Sequence, residues 1–228
     1  MGTYDDTLAL GNERFCTQTG LPVPTLSRGQ VERWWRLVQQ AGLTLEALVE
    51  TAGRSAAMLT LGWLGENWDT GRVVVLAGSG VTAAVALGAA RHMANRGANV
   101  RLWPQSLELP IVQTQYRLYR QTGAQVVDAS ELVGEGAAVV LAGSETPLTA
   151  EQQQWIATSG AEVVRIGETL DAVTAAATLV LGLPVAEACY TGQVYLADVG
   201  VPLAVYEQVG LYHRFVFGQQ YIIPLYPR

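Results

Sequence analysis

Apolar positions in this chain follow two rhythms: short β-branched runs, and longer stretches in which they recur every three or four residues. The sharpest run, Val73-Val-Val-Leu-Ala77, enters Gly78-Ser-Gly80 and leaves into the alanine-rich Val81 to Met93, which closes at Asn95-Arg-Gly97. Strand, tight turn and helix are predicted. Further runs at Asn99 to Trp103, Ala124 to Val127, Ala137 to Gly143, Ala161 to Ile166, Thr174 to Pro184, Val194 to Pro202 and Tyr221 to Leu225 read as strands or extended pieces.

Helical spacing fills the gaps between them. Ser27-Arg-Gly-Gln30 has the reciprocal pattern of a capping box before Val31, Trp34, Trp35 and Val38, and Thr149-Ala-Glu-Gln152 repeats it before Trp155. One of the two adjacent tryptophans is expected to face the core. Thr44 is placed to cap a helix through Leu45, Leu48, Val49, Ala52, Ala56 and Leu59 to about Gly65. Gly53 inside that helix costs ~1 kcal/mol relative to alanine, so a close backbone contact is expected there. Glu50 and Arg54 stand one turn apart, which predicts either an exposed pair or a Glu50 carboxylate aimed at a pocket. Ile111 to Arg120 and Leu203 to Val209 complete the helices. Residues 1–26 carry Gly, Pro, Thr and Asn in neither rhythm; they are expected to form an arm, with 27–228 as a single domain.

Strands that alternate with helices imply a mostly parallel, doubly wound sheet, whose ligands sit beyond the carboxyl ends of the strands. That rule singles out Gly78, Ser79, Gly80, Val81 and Thr82, then Ser144, Glu145 and Thr146, and then Gly167 and Glu168. Glycines admit a ligand close to the backbone, and free N–H groups at a helix start attract an anion such as phosphate. A Gly-x-Gly turn also serves plain packing in any parallel α/β protein. Asp198 interrupts an apolar strand, so it is expected to be either a structural anchor or a pocket residue.

Composition narrows the function classes. Among 228 residues 50% are hydrophobic and 15% charged, enough apolar content for a large core. The net charge is −6 and every basic residue other than His92 and His213 is an arginine, which argues against nucleic acid and removes any lysine chemistry. Cys16 and Cys189 lie far apart with no metal-binding spacing, and neither histidine has an evident metal partner. No apolar run approaches the ~18 residues of a membrane span, and the start lacks a basic leader, so a cytoplasmic protein is expected.

Four blocks then carry a resemblance. Leu45 to Gly53, Val73 to Gly80, Ala90 to Val100 and Val194 to Pro202 together resemble the YjeF N-terminal domain family, over a stretch from about Val23 onward. The resemblance implies a Rossmann-like three-layer α/β sandwich, dimerisation, and epimerisation of hydrated NADH and NADPH. It also exposes departures. Where family epimerases carry Gly-x-Gly-Asn-Asn-Gly-Gly-Asp-Gly, this chain has Gly78-Ser-Gly-Val-Thr-Ala-Ala-Val-Ala86. Thr82 and Val85 stand where the family binds an alkali cation and substrate, and the family's catalytic aspartate falls at about Leu141. The potassium site is therefore expected to be lost, and no catalytic or metal-binding residue is assigned.

Within the family, Leu43 to Glu50, Gly53 to Ala56, Leu179 to Pro184 and Phe217 to Leu225 are similar to the C-terminal domain of eukaryotic enhancer-of-mRNA-decapping scaffold proteins. The expected function is a dimerising domain that binds a nucleotide-like, NAD(P)-related molecule through Gly78 to Thr82, Ser144 to Thr146 and Asp198, with epimerase chemistry lost or altered. One alternative is a divergent epimerase that uses Glu145, Glu168 or Asp198. A second is a non-enzymatic scaffold module.

Overall fold

A computed structural model describes residues 11–208 and 216–228; His213 and the expected helix end at Val209 lie outside the described residues. The elements run β1 (Gly11–Cys16), β2 (Pro22–Thr25), α1 (Arg28–Gln40), α2 (Leu45–Leu64), β3 (Val73–Ala77), α3 (Gly80–Ala94), β4 (Val100–Pro104), α4 (Pro110–Arg120) and β5 (Gln125–Val126). They continue with β6 (Val139–Gly143), α5 (Ala150–Ser159), β7 (Glu162–Ile166), β8 (Ala177–Leu181), β9 (Gln193–Ala197), α6 (Leu203–Gln208) and β10 (Ile222–Pro227).

All ten strands join one sheet in the order β2-β1-β10-β9-β8-β7-β6-β3-β4-β5. From β9 to β5 neighbours are parallel, whereas β10, β1 and β2 add on antiparallel. The chain moves outward from β3 to β4 and β5, then returns to β6 on the other side of β3. That reversal opens a crevice at the carboxyl ends of β3 and β6.

Alternation along the central strands divides the core. Val73, Val75 and Ala77 face a cluster shared with α1, α2, α3 and α4, while Val74 and Leu76 face a second cluster with Trp155 and Ile156 of α5. The molecule is thus a helix–sheet–helix sandwich. Both capping boxes form: Gln30 accepts the Ser27 N–H at 2.7 Å, and Thr149 Oγ1 accepts the Gln152 N–H at 3.1 Å. Gly53 meets α3 where expected, since a Cβ there would come within 3.2 Å of the Gly88 and Ala89 backbone. Glu50 does not pair with Arg54; it reaches across to Arg91 and to His92 Nε2, the latter at 2.9 Å.

One expectation is corrected by the sheet. Residues 11–16 and 22–25, expected within an arm, are strands: β1 pairs with β10 and β2 pairs with β1. Leu26 then bridges to Val185 and tucks the start of α1 against the loop after β8.

Candidate functional site

The crevice is built from four strand ends. Beyond β3 lies the turn Gly78-Ser79-Gly80 and the first turn of α3; beyond β6 lies Ser144-Glu145-Thr146; beyond β7 lie Gly167 and Glu168; beyond β8 the chain turns back under α1. Between them is a cavity of about 390 Å³ whose walls include Trp34, Trp35, Leu48, Val81, Leu181 and Tyr190. Thr82, Glu145 and Glu168 supply polar groups to the same cavity. Its size falls within the ~300–1,000 Å³ of typical small-molecule sites, which are likewise apolar with a few placed polar atoms.

Eight of the nine residues expected from sequence to bind the ligand come together here. The Ser79 N–H donates to Ser144 Oγ at 3.1 Å, Ser79 Oγ lies 2.9 Å from Thr146 Oγ1, and the Glu145 N–H donates to the Ser79 carbonyl at 3.1 Å. The Glu145 carboxylate accepts the Val81 N–H at 2.7 Å. Gly80 has φ +76°, and a Cβ at Gly78 or Gly80 would overlap the Ser144 or Glu145 side chain. Only glycine allows the two loops to close so tightly. The Val81 N–H, the second of α3, lies where an anion is stabilised by the helix dipole and is held by a carboxylate of the chain itself.

Asp198, the ninth, is placed elsewhere. It follows β9, accepts the Gly200 N–H at 2.8 Å, and is not among the residues lining the cavity. Glu168, in contrast, faces the cavity and takes both prongs of the Arg28 guanidinium at 2.8 and 2.6 Å. That hydrogen bond holds the Glu168 carboxyl below the usual carboxylate range and outweighs the opposing effect of burial.

Helical spacing alone does not decide which of the two adjacent tryptophans is buried. Trp34 is 1% exposed and Trp35 half-buried, and both wall the cavity. The Trp34 indole N–H has no acceptor among the described residues, and its ring packs on Tyr206 at 5.4 Å between centroids. Burial drives the Tyr206 phenol well above its ordinary value, with Asp198 adding to the effect. A helical spacing marked these rings as core, but no local signal identified a lining residue with an unused donor.

A potassium ion, implied by the family resemblance, does not fit. Val85 is fully buried, and neither it nor Thr82 presents a carboxylate or amide to an alkali cation. Among the described residues, no group of three or more His, Cys, Asp or Glu side chains is arranged around a metal position. No described helix is long and apolar enough to cross a membrane.

Known proteins with related sequences bear on the same region. The profile of the family described as YjeF-related protein N-terminus matches residues 45–141, a span that contains the glycine turn and stops short of Glu145. The human enhancer of mRNA-decapping protein 3 is 28% identical over 239 residues, 94% of this chain and 47% of that protein. The chain therefore spans about half the length of those relatives. The NAD(P)H-hydrate epimerase of Dehalogenimonas lykanthroporepellens is 30% identical over 237 residues, 93% of this chain and 97% of that enzyme. The crystal structure of yeast YNL200c matches with a TM-score of 0.68 at 15% identity, over 88% of this chain and 99% of that one, a likeness of fold.

Proposed function

Because the chain belongs to the YjeF-related N-terminal family, we propose that it is a ligand-binding member of that family in which epimerase chemistry has been lost. It binds a nucleotide-like, NAD(P)-related molecule by inserting a ring into the crevice, and it forms homodimers. The observation that carries the loss of chemistry is the commitment of both crevice carboxylates. Glu145 is fixed on the Val81 N–H and Glu168 on Arg28, so neither is a free acid or base. General acid–base catalysis needs a group within hydrogen-bond reach of the proton it moves and a pKa matched to the task. A carboxylate held below its ordinary range by a guanidinium is poorly suited to either role.

The time course of interconversion between the two epimers of NADPH hydrate, in potassium buffer, tests this half. The expected result is the uncatalysed rate. Acceleration that disappears on heat denaturation would restore the enzyme reading, which the 30% likeness to an epimerase over nearly its whole length favours. Binding is tested by thermal shift with NAD, NADP and their fragments. A ligand at 100 times its Kd stabilises by about 2.7 kcal/mol, so a flat melting temperature across the panel at millimolar concentration would remove the binding half.

Dimerisation is supported by exposed apolar side chains on and just after α2, Met58 at 52% and Trp68 at 40%. Sedimentation equilibrium is expected to show a dimer; a monomer at working concentrations would overturn that part alone.

A further inference from the structure

Charge reaches the wall of the crevice cavity with one sign only. Among the described residues that line it, Glu145 and Glu168 carry charge, and no arginine or histidine stands beside them. Three electron-rich rings, those of Trp34, Trp35 and Tyr190, share the wall with aliphatic side chains. Aromatic faces together with carboxylates are the means by which proteins hold organic cations.

The two carboxylates are not equivalent. Glu168 takes both prongs of Arg28, whose exposed guanidinium offsets its charge from outside the cavity. Glu145 is held instead by a neutral donor, the Val81 N–H, at 2.7 Å. The start of α3 carries about half a positive charge, which alone would repel a cation, and the carboxylate over that turn reverses the sign.

We propose that the ring this crevice takes is the cationic, oxidised nicotinamide ring of an NAD(P)-related molecule, in preference to the neutral dihydronicotinamide or an adenine, and that Glu145 sets the preference. This rests on the ligand-binding reading above and deepens it by fixing which ring enters and in which redox state. A pyridinium is flat and charged at once, so it can stack on the aromatic wall and still be drawn to the carboxylate. Its carboxamide is matched by the neutral polar side chains of Gln39 and Thr82 on the same wall. The dihydro ring and its hydrate are uncharged at the ring nitrogen, so the feature that epimerase substrates lack is the one this crevice recognises. Nothing in the preference acts on the phosphates; it holds for riboside, mononucleotide and dinucleotide alike.

The test is calorimetric titration, in low-salt buffer, of the wild type, Glu145→Gln and Glu151→Gln with nicotinamide riboside, its reduced dihydro form and adenosine. Glu145→Gln keeps an acceptor for the Val81 N–H and drops only the charge. Glu151 is exposed on α5, across the sheet from the cavity, so its variant changes the net charge equally without touching the site. The wild type is expected to bind the oxidised riboside about tenfold or more tighter than the reduced one or adenosine. In Glu145→Gln that ratio is expected to fall severalfold through loss of affinity for the oxidised form, while affinity for the reduced form stays as it was. Glu151→Gln is expected to keep the wild-type ratio. The wild-type comparison decides the ring and its redox state without any variant: equal affinities, or tighter binding of adenosine, would overturn the proposal and leave the ligand-binding reading standing. A ratio unchanged in Glu145→Gln, or lowered as far in Glu151→Gln, would overturn the role of Glu145. A wild type that binds none of the three defeats the ligand-binding reading and this inference with it.

Discussion

Two carboxylates reach from neighbouring loops to backbone N–H groups around the same segment, and they differ chiefly in burial. Asp171 is 2% exposed at its side chain, pairs with the equally buried Arg165 at 2.7 Å, and accepts the N–H groups of Leu148 at 3.0 Å and Val173 at 3.1 Å. Glu145 is exposed and accepts the Val81 N–H alone. One therefore clasps the far end of the loop after β6 permanently, while the other closes its near end with a contact that water or a ligand can contest. The same chemical group serves architecture in a dry setting and selectivity in a wet one.

The largest effect is expected at Asp171. Asp171→Ala leaves Arg165 as an uncompensated buried charge and frees two backbone donors, so a loss of about 3–5 kcal/mol is expected in urea unfolding. A loss no larger than that of Glu145→Ala would show that burial is not what separates the two sites. Next in size is Gly53→Val, which forces a side chain against the Gly88 backbone. Overpacking of about 1–3 kcal/mol is expected, and an unchanged urea midpoint would mean that α2 and α3 separate freely. Glu145→Ala, read for stability alone, removes a helix-capping acceptor and is expected to cost about 0.5–2 kcal/mol.

The smallest effect is expected at Glu168, a carboxylate 24% exposed and so intermediate between Asp171 and Glu145. Its pair with Arg28 lies at the surface, where such bridges contribute ~0.2–1 kcal/mol. Because Arg28 lowers the folded-state pKa, this contribution is fully present above the unfolded carboxyl value of about 4.3 and is lost as pH falls through the lower folded value. Melting temperature measured from neutral pH downward should therefore fall less steeply below about pH 4.3 in Glu168→Gln than in the wild type. Identical slopes would mean that the pair does not form in solution.

Much of the parallel core was legible because its signals are local. The run Val73 to Ala77 with its glycine turn, the two capping boxes and Gly53 each announce a backbone state within a few residues. Asp198 had a local signal that pointed the other way: Asp-Val-Gly is a side-chain-to-backbone turn, and its carboxylate is used on Gly200. Strands β1 and β2 were not legible, since short segments with two prolines and no alternation become strands only by pairing with each other and with β10. Nor does sequence show that Glu145 reaches an N–H 64 residues earlier, or that Trp34 ends with its N–H unspent. Both are products of long-range packing.

The position of β10 between β9 and β1 also sets an order of assembly. Strands β1 and β2 precede the whole parallel core in the chain, yet the edge to which they attach is furnished by the strand that follows all the others. During vectorial synthesis the β1–β2 hairpin must wait for β10, while the edge of β9 stays open to other strands. Closure of the sheet is thus a late event, and the interval before it is when a nascent chain of this design is most exposed to mispairing.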